Sequence, residues 1–289
     1  MLDQNLPFHP NPSKPTITLP RGACDAHCHV FGPAARFPFA TERTYTPVDA
    51  AWETLQDLHR LLGLERTVLV QASCHGKDNS AMLDAIARSD GSCRGVAMVD
   101  RGITDAELDK LHEGGVRGIR FNFVTHLGQD ADLDAVRGLA ARIAPLGWHA
   151  VLHFDADRLD RLAPVLRELP IPMVIDHMGR LDASRGIEQP GFDLLTELMQ
   201  DDRFVVKVCG AERITRTGPP YADAVVIAQA LVRAFPDRVL WGTDWPHPNI
   251  RKDMPDDGKL VDLLGEIAPE AHLLEKLLVE NPTRLYWAP

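Results

Sequence analysis

No stretch of this 289-residue chain approaches the ~18 uninterrupted apolar residues that a membrane span requires. The opening MLDQNLPFHPNPSKPTITLPRG lacks the basic start and apolar run of a secretory signal. No run of Lys and Arg stands out, and the net charge is −10, which argues against non-specific nucleic-acid binding. A few arginines inside a pocket could still dominate the field there. The cysteines, Cys24, Cys28, Cys74, Cys93 and Cys209, are odd in number and form neither a CxxC pair nor a zinc-ribbon spacing. Reduced thiols in a cytoplasmic protein are therefore expected. There is no internal repeat, no low-complexity tract and no signal of oligomeric state.

What is present is an ordinary globular composition, 45% hydrophobic and 25% charged, far from that of a disordered or coiled-coil chain. Residues 1–21 are Pro-rich and aperiodic and read as an N-terminal arm. From residue 22 to 289 short apolar or β-branched runs alternate with amphipathic stretches. The strand candidates are 23–31, 67–74, 93–100, 116–123, 149–156, 172–179, 204–210 and 238–245. Helical patterns such as NSAMLDAIARSD, DAELDKLHEGG, LDAVRGLAARIAPLG and YADAVVIAQALVRAF lie between them. Eight βα units in one α/β domain predict a (β/α)8, TIM-like barrel, with its active site at the C-terminal strand ends. An open doubly wound sheet is the competitor, but no GxGxxG follows the first strand.

In each strand candidate the apolar residues come first and the unusual polar ones late. The pairs are His27 and His29, Ser73 and His75, Arg120 and Asn122, His153 and Asp155, Asp176 and His177, Lys207 and Arg213, and Asp244 and His247. Buried polar groups are costly unless paired or used, so their repetition at one end of the barrel marks a site. Strands 1 and 8 become neighbours when a barrel closes, which brings Asp244 toward His27 and His29. A His-x-His with a carboxylate suits Zn2+ or a similar ion. It equally suits a general base flanked by imidazoles with no metal. His9, His59, His112 and His272 lie in arm or helical contexts and are expected to be solvated.

The motifs DAHCHVFGP, VQASCHG, GIRFNF, VIDHMGR and WGTDWPHPN resemble those of the amidohydrolase superfamily, and within it the 2-pyrone-4,6-dicarboxylate lactonases. The likeness runs from about residue 12 to NPTRLYW at 281–287. It implies a distorted (β/α)8 barrel that opens a lactone to 4-oxalomesaconate, reversibly, in the bacterial breakdown of protocatechuate and other lignin-derived aromatics. It makes Asp244 the base that activates water, and His27, His29 and His177 the groups that polarise the carbonyl. It places Arg120 and Arg213 on substrate carboxylates, with Tyr45, Ser73 and Asn249 as further contacts. The implied partner is a small anionic lactone.

Strand 4 lacks the lysine that bridges two ions in many metal-dependent relatives and carries Arg120 near its end, so no binuclear centre is expected. The lactonase branch is similar in this and implies turnover without a metal. Two positions depart from that branch. His126 stands where a basic carboxylate contact is expected, and His153 where a tyrosine is expected; both remain substrate-binding candidates. With His27, His29, His177 and Asp244, His153 would complete a mononuclear site, so one divalent ion such as Zn2+ is compatible with the sequence. The alternatives are a metal-assisted lactonase for a sugar acid or sulfomuconolactone, a superfamily decarboxylase, or an inactive dicarboxylate binder.

Overall fold

The computed structural model describes residues 6–124 and 132–288. One sheet holds eight parallel strands in chain order. They are β1 (Cys24–Cys28), β2 (Arg66–Val70), β3 (Cys93–Ala97), β4 (Val116–Phe123), β5 (His149–Phe154), β6 (Met173–Ile175), β7 (Phe204–Lys207) and β8 (Val239–Leu240). The last strand returns to the first. The Ala26 N–H donates to the Trp241 carbonyl at 2.9 Å, Asp244 N–H to the His27 carbonyl at 2.7 Å, and His29 N–H to the Trp245 carbonyl at 2.8 Å. The sheet is thus a barrel, as the alternating pattern predicts.

Side-chain alternation divides the strands into two apolar sets. Cys24, Ala26, Val68, Val70, Val96, Val151, Val174 and Leu240 form one cluster, the barrel's own filling, with Tyr286 among them. Their neighbours Leu69, Leu152, Ile175 and Val206 join the larger cluster shared with the helices. The helices named here are α1 (Trp52–Leu62), α2 (Ser80–Ala87), α3 (Asp105–Glu113), α4 (Leu133–Ile143), α5 (Leu159–Glu168), α6 (Pro190–Leu198), α7 (Ala211–Ile214), α8 (Ala222–Ala234) and α9 (Asp257–Asp262). Local signals set their ends. Gly63 stops α1 at φ 82°, and a reciprocal Thr104–Glu107 capping box starts α3. Among the described residues no helix is long and apolar enough to cross a membrane.

Residues 6–21 contain no helix or strand and lie along α9, with Ser13 N–H on Asp256 and Thr16 N–H on Asp262. All five cysteines are free and buried. Most strands end earlier than their apolar runs predict: His27, Arg120, Asn122, His153 and Lys207 stay within strands, whereas His29, Ser73, His75, Asp155, Asp176, His177, Asp244 and His247 fall beyond the strand ends. There the chain bends sharply: His177, Met178, Arg180, Asp244, His247 and Asn249 all adopt positive φ. Such backbone is costly for non-glycine residues and persists where its surroundings over-determine it.

The closure between strands 8 and 1 has no room to spare. A Cβ on Gly242 would lie 2.3 Å from the His27 nitrogen and 2.6 Å from Asp25 Oδ1. Gly242→Ala is expected to lose stability at the upper end of the ~1–3 kcal/mol seen for overpacked cores. Urea unfolding would show a lowered midpoint at unchanged slope, and an unshifted midpoint would contradict this packing.

Candidate active site

A cavity of about 400 Å3 opens where the strands end. His29, Tyr45, Ser73, Arg120, His153, His177, Arg213, Asp244 and Asn249 line it, so strand ends (Arg120, His153), α7 (Arg213) and the connecting segments together gather most of the candidate residues. His27 lies behind this wall, wholly buried, and His126 lies outside the described residues.

Asp244 is the hub. Its left-handed backbone (φ 62°) follows β8 and turns the carboxylate toward the end of β1. Oδ1 lies 3.1 Å from His29 Nε2 and 3.5 Å from His27 Nε2. Oδ2 accepts from Arg213 Nε at 2.7 Å and Nη2 at 2.6 Å, and stands 4.0 Å from His177 Nε2. Burial alone would raise its pKa, but Arg213, then His177, His29 and His27, hold it well below the usual carboxylate range. Asp244 is therefore ionised at neutral pH and clamped by a guanidinium fork, whose Nη1 also donates to the Pro248 carbonyl at 2.5 Å.

The three histidines differ in their hydrogen bonds. His29 Nδ1 donates to the Val70 carbonyl at 2.7 Å, so its Nε2 can donate to Asp244 only when the ring is protonated. His177 packs beside Gly210, where any Cβ would sit 2.4 Å from its Nδ1. Burial lowers the His177 pKa to about 4, leaving a neutral ring. His27 Nδ1 is 2.8 Å from Lys207 Nζ and 3.2 Å from Asp176 Oδ1. Lys207 also meets Asp176 Oδ1 at 3.1 Å, while Arg120 Nη2 takes Asp176 Oδ2 at 3.1 Å. Burial opposes ionisation of Asp176, yet Lys207, His27 and Arg120 bring its pKa well below the ordinary value.

His153 Nδ1 lies 3.2 Å from Asn122 Oδ1, and its ring meets His177 edge-on at 5.5 Å between centroids. Burial, and then Arg120, drive its pKa well down. Arg180, Arg251 and Glu212 also line the cavity, and sequence reasoning gave them no role. Arg180 stands inside the VIDHMGR motif, so its position was the available signal. Four guanidinium groups thus border one small space.

Residues 24–287 match the amidohydrolase family. The chain belongs to that family. It is 52% identical to a 2-pyrone-4,6-dicarboxylate hydrolase of Comamonas testosteroni, over 98% of this chain and 95% of that one. It is 41% identical to a 4-sulfomuconolactone hydrolase of Rhizobium radiobacter, covering 94% and 92%. A solved structure from Acinetobacter baumannii, assigned as a 2-pyrone-4,6-dicarboxylic acid hydrolase and holding citric acid, superposes with a TM-score of 0.81. That protein is 28% identical, with 92% of this chain and 100% of that one aligned.

Amidohydrolase barrels invite a metal, and His27, His177 and Asp244 do bring one ligand atom each within 4.8 Å of the others. His29 and His153 are not part of that group, so the five-residue set is not assembled. Nor does the charge fit. Arg213 occupies Asp244 Oδ2, and Lys207 and Arg120 add two cations around His27 and Asp176. A dication would enter a cluster already neutralised by fixed cations, and these residues as placed do not suit one.

Two buried carboxylates sequence reasoning left aside hold the scaffold of this amidohydrolase site. Asp25 accepts from Thr243 N–H (3.0 Å), Thr243 Oγ1 (2.6 Å), His27 N–H (3.0 Å) and His59 Nε2 (3.0 Å). His59 is thus buried against the barrel and not solvated as expected, because α1 delivers it to a carboxylate needing a donor. Asp257 of α9 lies 3.1 Å from His247 Nε2, whose Nδ1 lies 3.5 Å from Glu212 Oε1. Burial would lower the His247 pKa, but Asp257 and Glu212 raise it to about 10.

The His247 shift sets a pH window. Its folded value exceeds the ordinary 6.5, so the contribution is full below pH 6.5 and is lost as pH rises through about 10. Thermal scans are expected to show stability falling across that window, with the slope flattened in His247→Gln; an unchanged slope would contradict the pairing. For Asp244, Arg213→Met leaves burial less opposed, so the acid limb of kcat/KM is expected to move up by about 1–3 pH units. A limb that stays in place would separate the guanidinium from the basicity of Asp244.

Proposed function

We propose that this amidohydrolase hydrolyses 2-pyrone-4,6-dicarboxylate to 4-oxalomesaconate. The observation that carries the reading is an ionised Asp244 among imidazoles at the wall of a cavity bordered by Arg120, Arg180, Arg213 and Arg251. A small dianionic lactone needs both halves, fixed cations for its carboxylates and a base beside its carbonyl. The named relative at 52% identity supports the same substrate.

In this reading Asp244 takes a proton from water, and the hydroxide adds to the lactone carbonyl. His27, His29 and His177 donate toward the developing oxyanion. The ring C–O bond then breaks. Its oxygen leaves as an enolate, a stable leaving group, which recovers a proton from Asp244. Arg120 holds one carboxylate; its Nε has no protein partner among the described residues, so a donor is available. Arg213 meets the other carboxylate, and Tyr45, Ser73, His153 and Asn249 complete the wall. No step needs a metal, and the five buried thiols suit the reducing cytoplasm.

The test is loss of pyrone absorbance with chelator-treated enzyme. Full activity is expected without added metal, and Asp244→Asn is expected to lower kcat about 10²–10⁴-fold, the usual contribution of a positioned base. Undiminished turnover in that variant would remove Asp244 as the base. A panel including 4-sulfomuconolactone tests the substrate, since the relative at 41% identity acts on it. Faster turnover of the sulfonated lactone would overturn the pyrone reading.

A further inference from the structure

We propose that Lys207, at the end of β7, is a positioning residue that fixes His27 in the tautomer whose single ring N–H, on Nε2, faces Asp244 just behind the cavity wall. The inference rests on the lactonase reading above for its consequence in turnover, but not for the tautomer itself.

Lys207 is completely buried, as are His27 and Asp176. A lysine at that depth is costly without compensation, and here it has two partners. Its Nζ lies 3.1 Å from Asp176 Oδ1, so it is an ion-paired ammonium with donors only. The same Nζ lies 2.8 Å from His27 Nδ1. An ammonium can approach a ring nitrogen that closely only by donating to its lone pair. The competing arrangement would place the ring proton on Nδ1 and give it to Asp176 Oδ1 at 3.2 Å. That would turn a ring N–H against an ammonium 2.8 Å away. It would also serve a carboxylate that Arg120 already hydrogen-bonds at Oδ2 and Lys207 ion-pairs at Oδ1, an oxygen otherwise without a hydrogen bond among the described residues. Nδ1 is therefore the acceptor.

A neutral ring with an occupied Nδ1 lone pair must carry its proton on Nε2. Nε2 is buried without a hydrogen-bond partner among the described residues, 3.5 Å from Asp244 Oδ1. It is a donor held in one direction and left uncommitted. Donors aimed before charge develops need no reorganisation when it appears. Lys207 thus does for His27 what a carboxylate hydrogen-bonded to the far ring nitrogen does for a metal-bound histidine, with the opposite outcome. A carboxylate behind the ring frees the front nitrogen's lone pair, whereas an ammonium behind it puts a proton there.

The experiment is 15N NMR of histidine-labelled protein, with His27 assigned by its loss in His27→Gln. In the wild type a pyridine-type Nδ1 and a pyrrole-type Nε2 are expected for His27. In Lys207→Met the Nδ1–H form, donating to Asp176, is expected to appear, and kcat to fall about 100-fold, the loss typical of one oxyanion donor. KM is expected to stay nearly constant, and Lys207→Arg to restore the tautomer and part of kcat. A pyrrole-type Nδ1 in the wild type would overturn the inference whether or not Lys207→Met folds. So would a kcat loss in that variant with the tautomer unchanged. Failure to hydrolyse the pyrone would instead remove the proposed substrate and leave the His27 spectrum to decide the tautomer.

Discussion

Four hydrogen bonds converge on the buried carboxylate of Asp25, and the rest of the site depends on them. Two come from Thr243 beyond β8, one from the backbone of β1 and one from His59 on α1. Charge-assisted bonds of this kind are short and directional. They lock the last strand to the first at the level where His27, His29 and Asp244 must meet. The glycine at 242 lets the two backbones approach, and the left-handed turn at Asp244 follows directly.

Above that fastening, each deep carboxylate has cationic partners of its own. Asp244 faces Arg213, Asp176 faces Lys207 and Arg120, and Asp257 with Glu212 faces His247. Breaking a buried pair strands a charge and is far costlier than losing an exposed one. The arrangement therefore resists drift, and it holds imidazole rings at fixed angles around one carboxylate. Preorganised polar groups of this sort are what acyl transfer needs, because solvent no longer has to reorient as charge moves.

Much of this was legible in the sequence. The βα rhythm gave the barrel, and helical patterns such as DAELDKLHEGG and YADAVVIAQALVRAF match α3 and α8 closely. One residue of each late polar pair lines the cavity: His29, Ser73, Arg120, His153, His177, Arg213 and Asp244. The strand ends were not legible, because a left-handed turn at His177 or Asp244 leaves no trace in apolar periodicity. Roles behind the wall were hidden for a related reason. Lys207 and Asp176 were visible as odd residues at strand ends, but pairing across β6 and β7 depends on barrel register. His59 misled because an amphipathic helix offers no local sign that one of its polar residues will meet a buried carboxylate. Arg180 and Arg251 were missed because turns, not strands, carry them to the cavity.

The arginine-bordered cavity also has a bearing on the end of the reaction. In the proposed reaction, opening the ring would convert a molecule with two carboxylates into one with three, while Arg120, Arg180, Arg213 and Arg251 stay where they are. Fixed positive charge attracts the more highly charged species more strongly, so the site grips what it makes at least as firmly as what it takes in. Departure of the opened acid, rather than scission of the ester, then becomes the natural bottleneck. In that reaction the same retention favours capture of the open acid, the first requirement for ring closure, wherever it accumulates.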